Sequence, residues 1–202
     1  ELTAWMCRNF FDVRSFGADP ALVARHVAAY TRGLQGAGVA ACAKHFPGHG
    51  DTATDSHLAL PTITVDPGTL KARELVPFGA AVQAGTLAVI TSHIMVPTLD
   101  TELPATLSAP ILGLLRDRFG FTGAIVSDAL DMAGASAGRG LAEAALLALA
   151  AGCDLLCIGT DNTAEQLAEI RAAVLAAVAS GRLPQQRVFE AAERVATLSR
   201  GV

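Results

Sequence analysis

Short unbroken apolar runs alternate along the chain with longer segments whose apolar positions recur every three to four residues. The runs at 39–43, 86–94, 124–127 and 154–158 predict strands buried on both faces, since a half-exposed strand would alternate polar with apolar. The segments between them predict helices. Asp19 and Pro20 have the chemistry of an N-cap and a first helical position, Leu22, Val23, Val27, Tyr30 and Leu34 form an apolar face, and Gly36 and Gly38 end the helix. Asp66 and Pro67 repeat the start signal for a helix reaching Gly85 through Leu70, Leu75, Phe78, Ala81 and Val82. Ser108 caps a helix carrying Ile111, Leu112, Leu115 and Phe119, stopped by Gly120, and residues 140–151 form an Ala/Leu-rich helix closed by Gly152. Helices over 163–180 and 184–199 finish the chain, while residues 1–16 show no clear period.

Strand and helix alternate, so the expected class is α/β with a parallel sheet covered by helices. Conspicuous polar residues stand at or just past the ends of the predicted strands: Lys44 and His45, Ser92 and His93, and Asp128. That end of a parallel sheet carries the chemistry in open sheets and barrels alike. A (β/α)8 barrel needs eight units and roughly 250 residues. The four predicted units therefore fit either an open α/β domain or half a barrel, and composition does not choose.

At 202 residues the chain suffices for one domain with a substantial core, and with 51% hydrophobic but only 5% aromatic residues that core is mostly Ala, Leu and Val. A formal charge of -4 without a Lys/Arg cluster argues against a nucleic-acid partner. Cys7, Cys42, Cys153 and Cys157 read as small reduced core residues, with Cys153 and Cys157 a weak metal pair. Every long apolar run is interrupted by Gly, Asp or Arg, so no membrane span is expected. The chain opens on Glu1 without a signal-peptide pattern; a cytoplasmic location is favoured, and a secreted or lipoprotein form stays open because the start may belong to a fragment.

The chemistry concentrates between Lys44 and Thr62, where His45, His49 and His57 share a glycine-broken loop with Asp51 and Asp55. The spacing Asp55-Ser-His57 lets a carboxylate orient an imidazole for proton transfer near neutrality. Metal ligation by His45, His49, Asp51 and His57 competes with that reading. His26, alone between Arg25 and Val27 on a helix, reads as structural. Asp128 reads either as a turn or N-cap residue or as the second carboxylate that a retaining glycosidase needs opposite its proton donor.

Lys44-His-Phe-Pro-Gly-His-Gly-Asp51, then Asp55-Ser-His57 and Leu60-Pro61, resembles the signature of glycoside hydrolase family three in its β-N-acetylhexosaminidase (NagZ-type) branch. Ser127-Asp-Ala-Leu-Asp-Met132 is similar to that family's nucleophile segment, and Arg14-Ser-Phe-Gly17 to its sugar-binding loop. The resemblance implies Asp128 as nucleophile and His57 as general acid/base in a dyad with Asp55. It implies Arg14, Lys44 and His45 as ligands of the sugar hydroxyls, and neither metal nor cofactor. The implied substrate is a carbohydrate, a terminal β-GlcNAc glycoside such as a muropeptide fragment, met in bacterial peptidoglycan or amino-sugar turnover. Ala129 stands where the family's β-glucosidases place Trp, which points to the hexosaminidase branch. The implied fold is a (β/α)8 TIM-type barrel, with residues 1–202 as one partial domain, the C-terminal part of the catalytic barrel, lacking about four units at its N-terminal side. Alternatives are a β-N-acetylglucosaminide phosphorylase or β-glucosidase of the same family, a metal-dependent hydrolase, or a non-catalytic α/β module.

Overall fold

The computed structural model describes residues 16–50, 60–136, 138–160 and 162–200. Three strands, β1 (Cys42–Phe46), β2 (Ala88–Thr91) and β3 (Ala124–Val126), form a parallel sheet in the order β1-β2-β3. The helices are α1 (Pro20–Gly36), α2 (Pro67–Thr69), α3 (Val76–Gln83), α4 (Ala109–Asp117), α5 (Ala133–Ser136), α6 (Leu141–Ala151), α7 (Ala164–Ala179) and α8 (Gln185–Arg200). A parallel pair needs a long crossover, and helices supply it here in passing from β1 to β2 and from β2 to β3.

The helix ends follow the local chemistry expected of them. Asp19 accepts a hydrogen bond from the Ala21 N–H at 3.0 Å, and Ser108 accepts one from the Ile111 N–H at 3.3 Å. Thr163 and Gln166 form a reciprocal capping box at the start of α7. Gly120 and Gly152 close α4 and α6 at φ +62° and +126°, a region costly for any residue with a Cβ.

The core lies between the sheet and its helices. Phe46, Val89, Ile94, Ile111, Leu115, Ile125 and Leu130 belong to one buried cluster, and complete burial of a side chain of this size contributes about 1.5–3 kcal/mol. Phe46 meets Phe78 of α3 edge to face, with ring centroids 5.1 Å apart.

Several elements differ from the sequence-based expectation. β1 begins at Cys42 instead of residue 39 and includes Lys44 and His45, because Phe46 still pairs with Thr91. The register slips between Ala43 and Phe46, and the Lys44–His45 and Phe46–Pro47 peptides are cis. β2 is shorter than 86–94 because its flanks bond elsewhere: the Thr86 hydroxyl donates to Ala41 O, and Ile94 O accepts from Ala105 N. The expected helix from 67 to 85 is three pieces, α2, a π-helical turn at Leu70–Glu74, and α3. Pro77 has no N–H, and its ring would clash with the carbonyl four residues back, so an unbroken α-helix cannot pass through it.

The segment expected as a fourth strand runs beside β3 but reaches only an isolated bridge, Val126 with Leu155. Asp154 N and Leu155 N both donate to Ile125 O, and Ser127 N donates to Leu155 O. The next ladder donor, Cys157 N, is taken by the Ser127 hydroxyl at 2.9 Å, so a side chain ends the ladder.

The cysteines also depart from expectation. Cys153 is buried, but Cys42 and Cys157 are exposed. Cys42 stands on an edge strand of the described sheet and Cys157 lies beyond the last bridge, so neither is covered as a core residue would be. Cys7 lies outside the described residues. Tyr30, Val39, Leu167, Leu175 and Phe189 are large apolar side chains exposed on the outside of the described structure. Among the described residues no helix is long and apolar enough to cross a membrane.

Candidate active site

The C-terminal end of the sheet is organised by β2 and the two residues after it. Thr91, Ser92 and His93 are all 0% exposed, so each polar atom needs a partner inside the protein. The Ser92 hydroxyl donates to Phe46 O at 2.7 Å, fixing the end of β1. Thr91 Oγ1 accepts from the Asp128 N–H at 3.1 Å. Its own proton then goes to Thr106 Oγ1 at 2.8 Å, since the Thr106 hydroxyl is spent on Ser92 O. His93 Nε2 lies 2.8 Å from Ala129 O. A carbonyl oxygen only accepts, so Nε2 carries the proton.

Asp128 follows β3 and is half-buried. Its Oδ1 accepts from the Ala129 N–H at 2.9 Å. Beyond it, Leu130 N donates to Cys157 O at 2.9 Å. The segment is therefore held by Thr91 and His93 on one side and by the 155–157 segment on the other.

Lys44 is exposed and His45 half-buried, and both lie within β1 instead of after it. The His45 and His49 rings meet edge-on, with centroids 5.9 Å apart. Between them the chain turns at Gly48, whose φ of +131° suits glycine, and a Cβ there would lie 3.0 Å from Glu74. Glu74 is buried, ends the π-helical turn and pairs with Arg73 Nε, so the turn forms the floor beneath this loop. π-helical turns recur at functional sites because they re-aim a side chain.

Burial pushes the His93 imidazole below its ordinary pKa, against the Ala129 hydrogen bond and the nearby Asp128 and Asp131, with His49 adding to the lowering. The unfolded chain therefore binds this proton at a higher pH than the folded one. Stability contributed by neutral His93 is present above the unfolded pKa, about 6.5, and is lost as pH falls from there through the folded value. A pH series of urea titrations should give a flatter acid limb for His93→Gln than for the parent; identical limbs would count against the burial effect.

Of the residues singled out from sequence, Lys44, His45 and Asp128 all stand at the same end of the sheet, with His49 against His45 and His93 against the residue after Asp128. Arg14, Asp51, Asp55 and His57 lie outside the described residues. His26, read as structural, stacks its ring on Phe16 at 5.2 Å. Thr91, Thr106 and Glu74 were not singled out. The signal for Thr91 in the sequence is the polar run Thr91-Ser92-His93 at the end of an apolar strand. Among the described residues no group of three or more His, Cys, Asp or Glu side chains could hold a metal ion.

Comparison with known proteins fits this geometry. The family described as "Glycosyl hydrolase family 3 N terminal domain" matches residues 4–198. A "Beta-hexosaminidase" of Methylococcus capsulatus is 40% identical over 157 residues, 78% of this chain and 46% of its own length. A "Beta-hexosaminidase" of Chromobacterium violaceum is 37% identical over 187 residues, 93% of this chain and 50% of its own. The chain thus spans about half the length of these curated relatives. Among solved structures, a glycoside hydrolase family 3 β-N-acetylglucosaminidase from Paenibacillus sp. str. FPU-7 superposes with a TM-score of 0.89 at 42% identity, covering 94% of this chain and 36% of that one. With a parallel sheet, helical crossovers and polar residues gathered at its C-terminal end, the chain belongs to glycosyl hydrolase family 3 and forms part of its TIM-barrel-like N-terminal domain.

Proposed function

We propose that the whole protein is a retaining glycoside hydrolase that removes terminal β-linked N-acetylglucosamine, and that residues 1–202 make up the C-terminal part of its catalytic barrel. One observation carries this reading: Asp128 is held at the mouth of the parallel sheet by Thr91 while Ser92, the next residue, holds the end of the Lys44-bearing strand. The naming of the relatives supports the reaction class.

In the proposed mechanism an Asp128 oxygen attacks the anomeric carbon, the glycosidic C–O bond breaks, and His57 delivers a proton to the leaving oxygen. Water then attacks the glycosyl ester while His57 takes a proton back, and Asp128 leaves as carboxylate with β configuration restored. Asp55 orients His57. Arg14, Lys44 and His45 bind sugar hydroxyls, with contacts that strengthen as the ring flattens toward an oxocarbenium ion. A deprotonated imidazole is neutral, so the site would tolerate an anionic acceptor better than one with a carboxylate base.

The test is hydrolysis of a nitrophenyl β-GlcNAc glycoside by a protein carrying this sequence at the full length of its relatives. Turnover should persist in EDTA, with free GlcNAc as product. Loss under chelation with recovery on adding zinc would overturn the metal-free mechanism, and GlcNAc 1-phosphate in phosphate buffer would replace hydrolysis by phosphorolysis.

A further inference from the structure

His93 is wholly buried beside the proposed nucleophile yet has no part in binding or proton transfer as written above. We propose that His93 is a positioning residue: an Nε2–H imidazole whose donation to Ala129 O sets the reach of Asp128. The proposal rests on the glycosidase reading for its kinetic part and on geometry alone for its chemical part.

The geometry is specific. Nε2 donates to Ala129 O at 2.8 Å, and Ala129 N in turn donates to Asp128 Oδ1 at 2.9 Å. A single residue, Ala129, thus links the imidazole to the carboxylate through its C=O and its N–H. The backbone of α5 approaches His93 closely, since a Cβ on Gly134 would come within 2.7 Å of His93 Cβ. Glycine at 134 is what lets α5 pass so close to His93. Nδ1 is buried and has no hydrogen-bond partner among the described residues. Asp128 and Asp131 would favour a second proton there, but it would leave a cation in a site without solvent to stabilise it. Burial and the neighbouring His49 oppose that proton.

The role follows from charge as much as from shape. A lysine or arginine donating to the same carbonyl would put a fixed positive charge beside the attacking carboxylate and weaken it as a nucleophile. A neutral N–H fixes the backbone without that cost. Glutamine can offer an amide N–H at a similar reach, whereas leucine fills the space without a donor.

Two measurements test this. Nitrogen-15 NMR of the full-length protein with labelled histidine should show His93 at pH 8 as the neutral Nε2–H tautomer, and on acidification its ring should take a second proton at a lower pH than histidine in the unfolded chain. A ring that carries its proton on Nδ1 at pH 8 overturns the proposal whatever the enzyme does. In the full-length protein His93→Leu should lower kcat for the nitrophenyl glycoside about 100-fold, as expected of a misplaced reacting group, with KM changed less than about threefold. His93→Gln should restore kcat to within about fivefold of the parent. Equal kcat in the leucine variant, or a loss in KM alone, also overturns it. An inactive parent protein would defeat the glycosidase reading and leave the tautomer to decide this one.

Discussion

Asp128→Asn should reduce turnover of a β-GlcNAc glycoside by at least about 10⁴-fold, as the loss of a covalent nucleophile does elsewhere. Asparagine keeps the volume, and its carbonyl oxygen can still accept from Ala129 N, so the loop bonds made by Thr91 and His93 stay in place. The loss would therefore report chemistry and not folding. A fluorinated GlcNAc-type inactivator should add its sugar mass to the peptide containing Asp128 in the parent protein and to no peptide of the variant. A label on another residue, or a loss smaller than about tenfold, would sink the nucleophile assignment.

Asp154→Ala should be the most destabilising single change in the described structure, by about 3–5 kcal/mol. The carboxylate is 0% exposed and faces three arginines. Oδ2 accepts from Arg116 at 2.7 Å and from Ile125 N at 2.9 Å, while Oδ1 accepts from Arg187 at 2.6 Å and Arg194 at 3.0 Å. Four donors fill the acceptor capacity of a carboxylate. Its removal leaves three guanidinium groups converging on an uncharged space, which costs more than the lost hydrogen bonds alone. Asp154→Asn should fare nearly as badly, because it turns an NH2 toward an arginine. Urea titration measures the loss, and a midpoint shift worth under about 1 kcal/mol would show the network to be redundant.

Much of this architecture was legible from local chemistry. Asp19 and Ser108 cap helices because capping needs only residues a turn away, and the glycines at 120 and 152 end helices because their backbone conformation excludes a Cβ. Strand limits were less legible, because pairing is decided across the sheet. Lys44 and His45 look like loop residues in sequence, but a partner strand keeps them in β1. The fourth strand failed for a reason visible only in three dimensions, a serine hydroxyl at 127 taking the next ladder donor. The same limit applies to chemistry. The motifs drew attention to Lys44, His45 and Asp128, but the uses of Thr91 and His93 depend on what β3 places opposite them. Asp154 was read only as the first residue of a strand; its three arginines come from 33 to 40 positions away.

The hydrogen bonds of Thr91, Ser92 and His93 make the short central strand a common datum for the loops on either side. Neither loop takes its position from the outer helices alone. Substitutions that loosen the helical layer should therefore lower the melting temperature before they alter the gap between β1 and Asp128. Tolerance to change should be graded by layer, broad on the outer helices and narrow over three consecutive residues of one strand end. A library randomised at 91–93 should accordingly lose function at substitutions that leave the fold intact, whereas one randomised on the outward face of α7 should lose it only when folding fails.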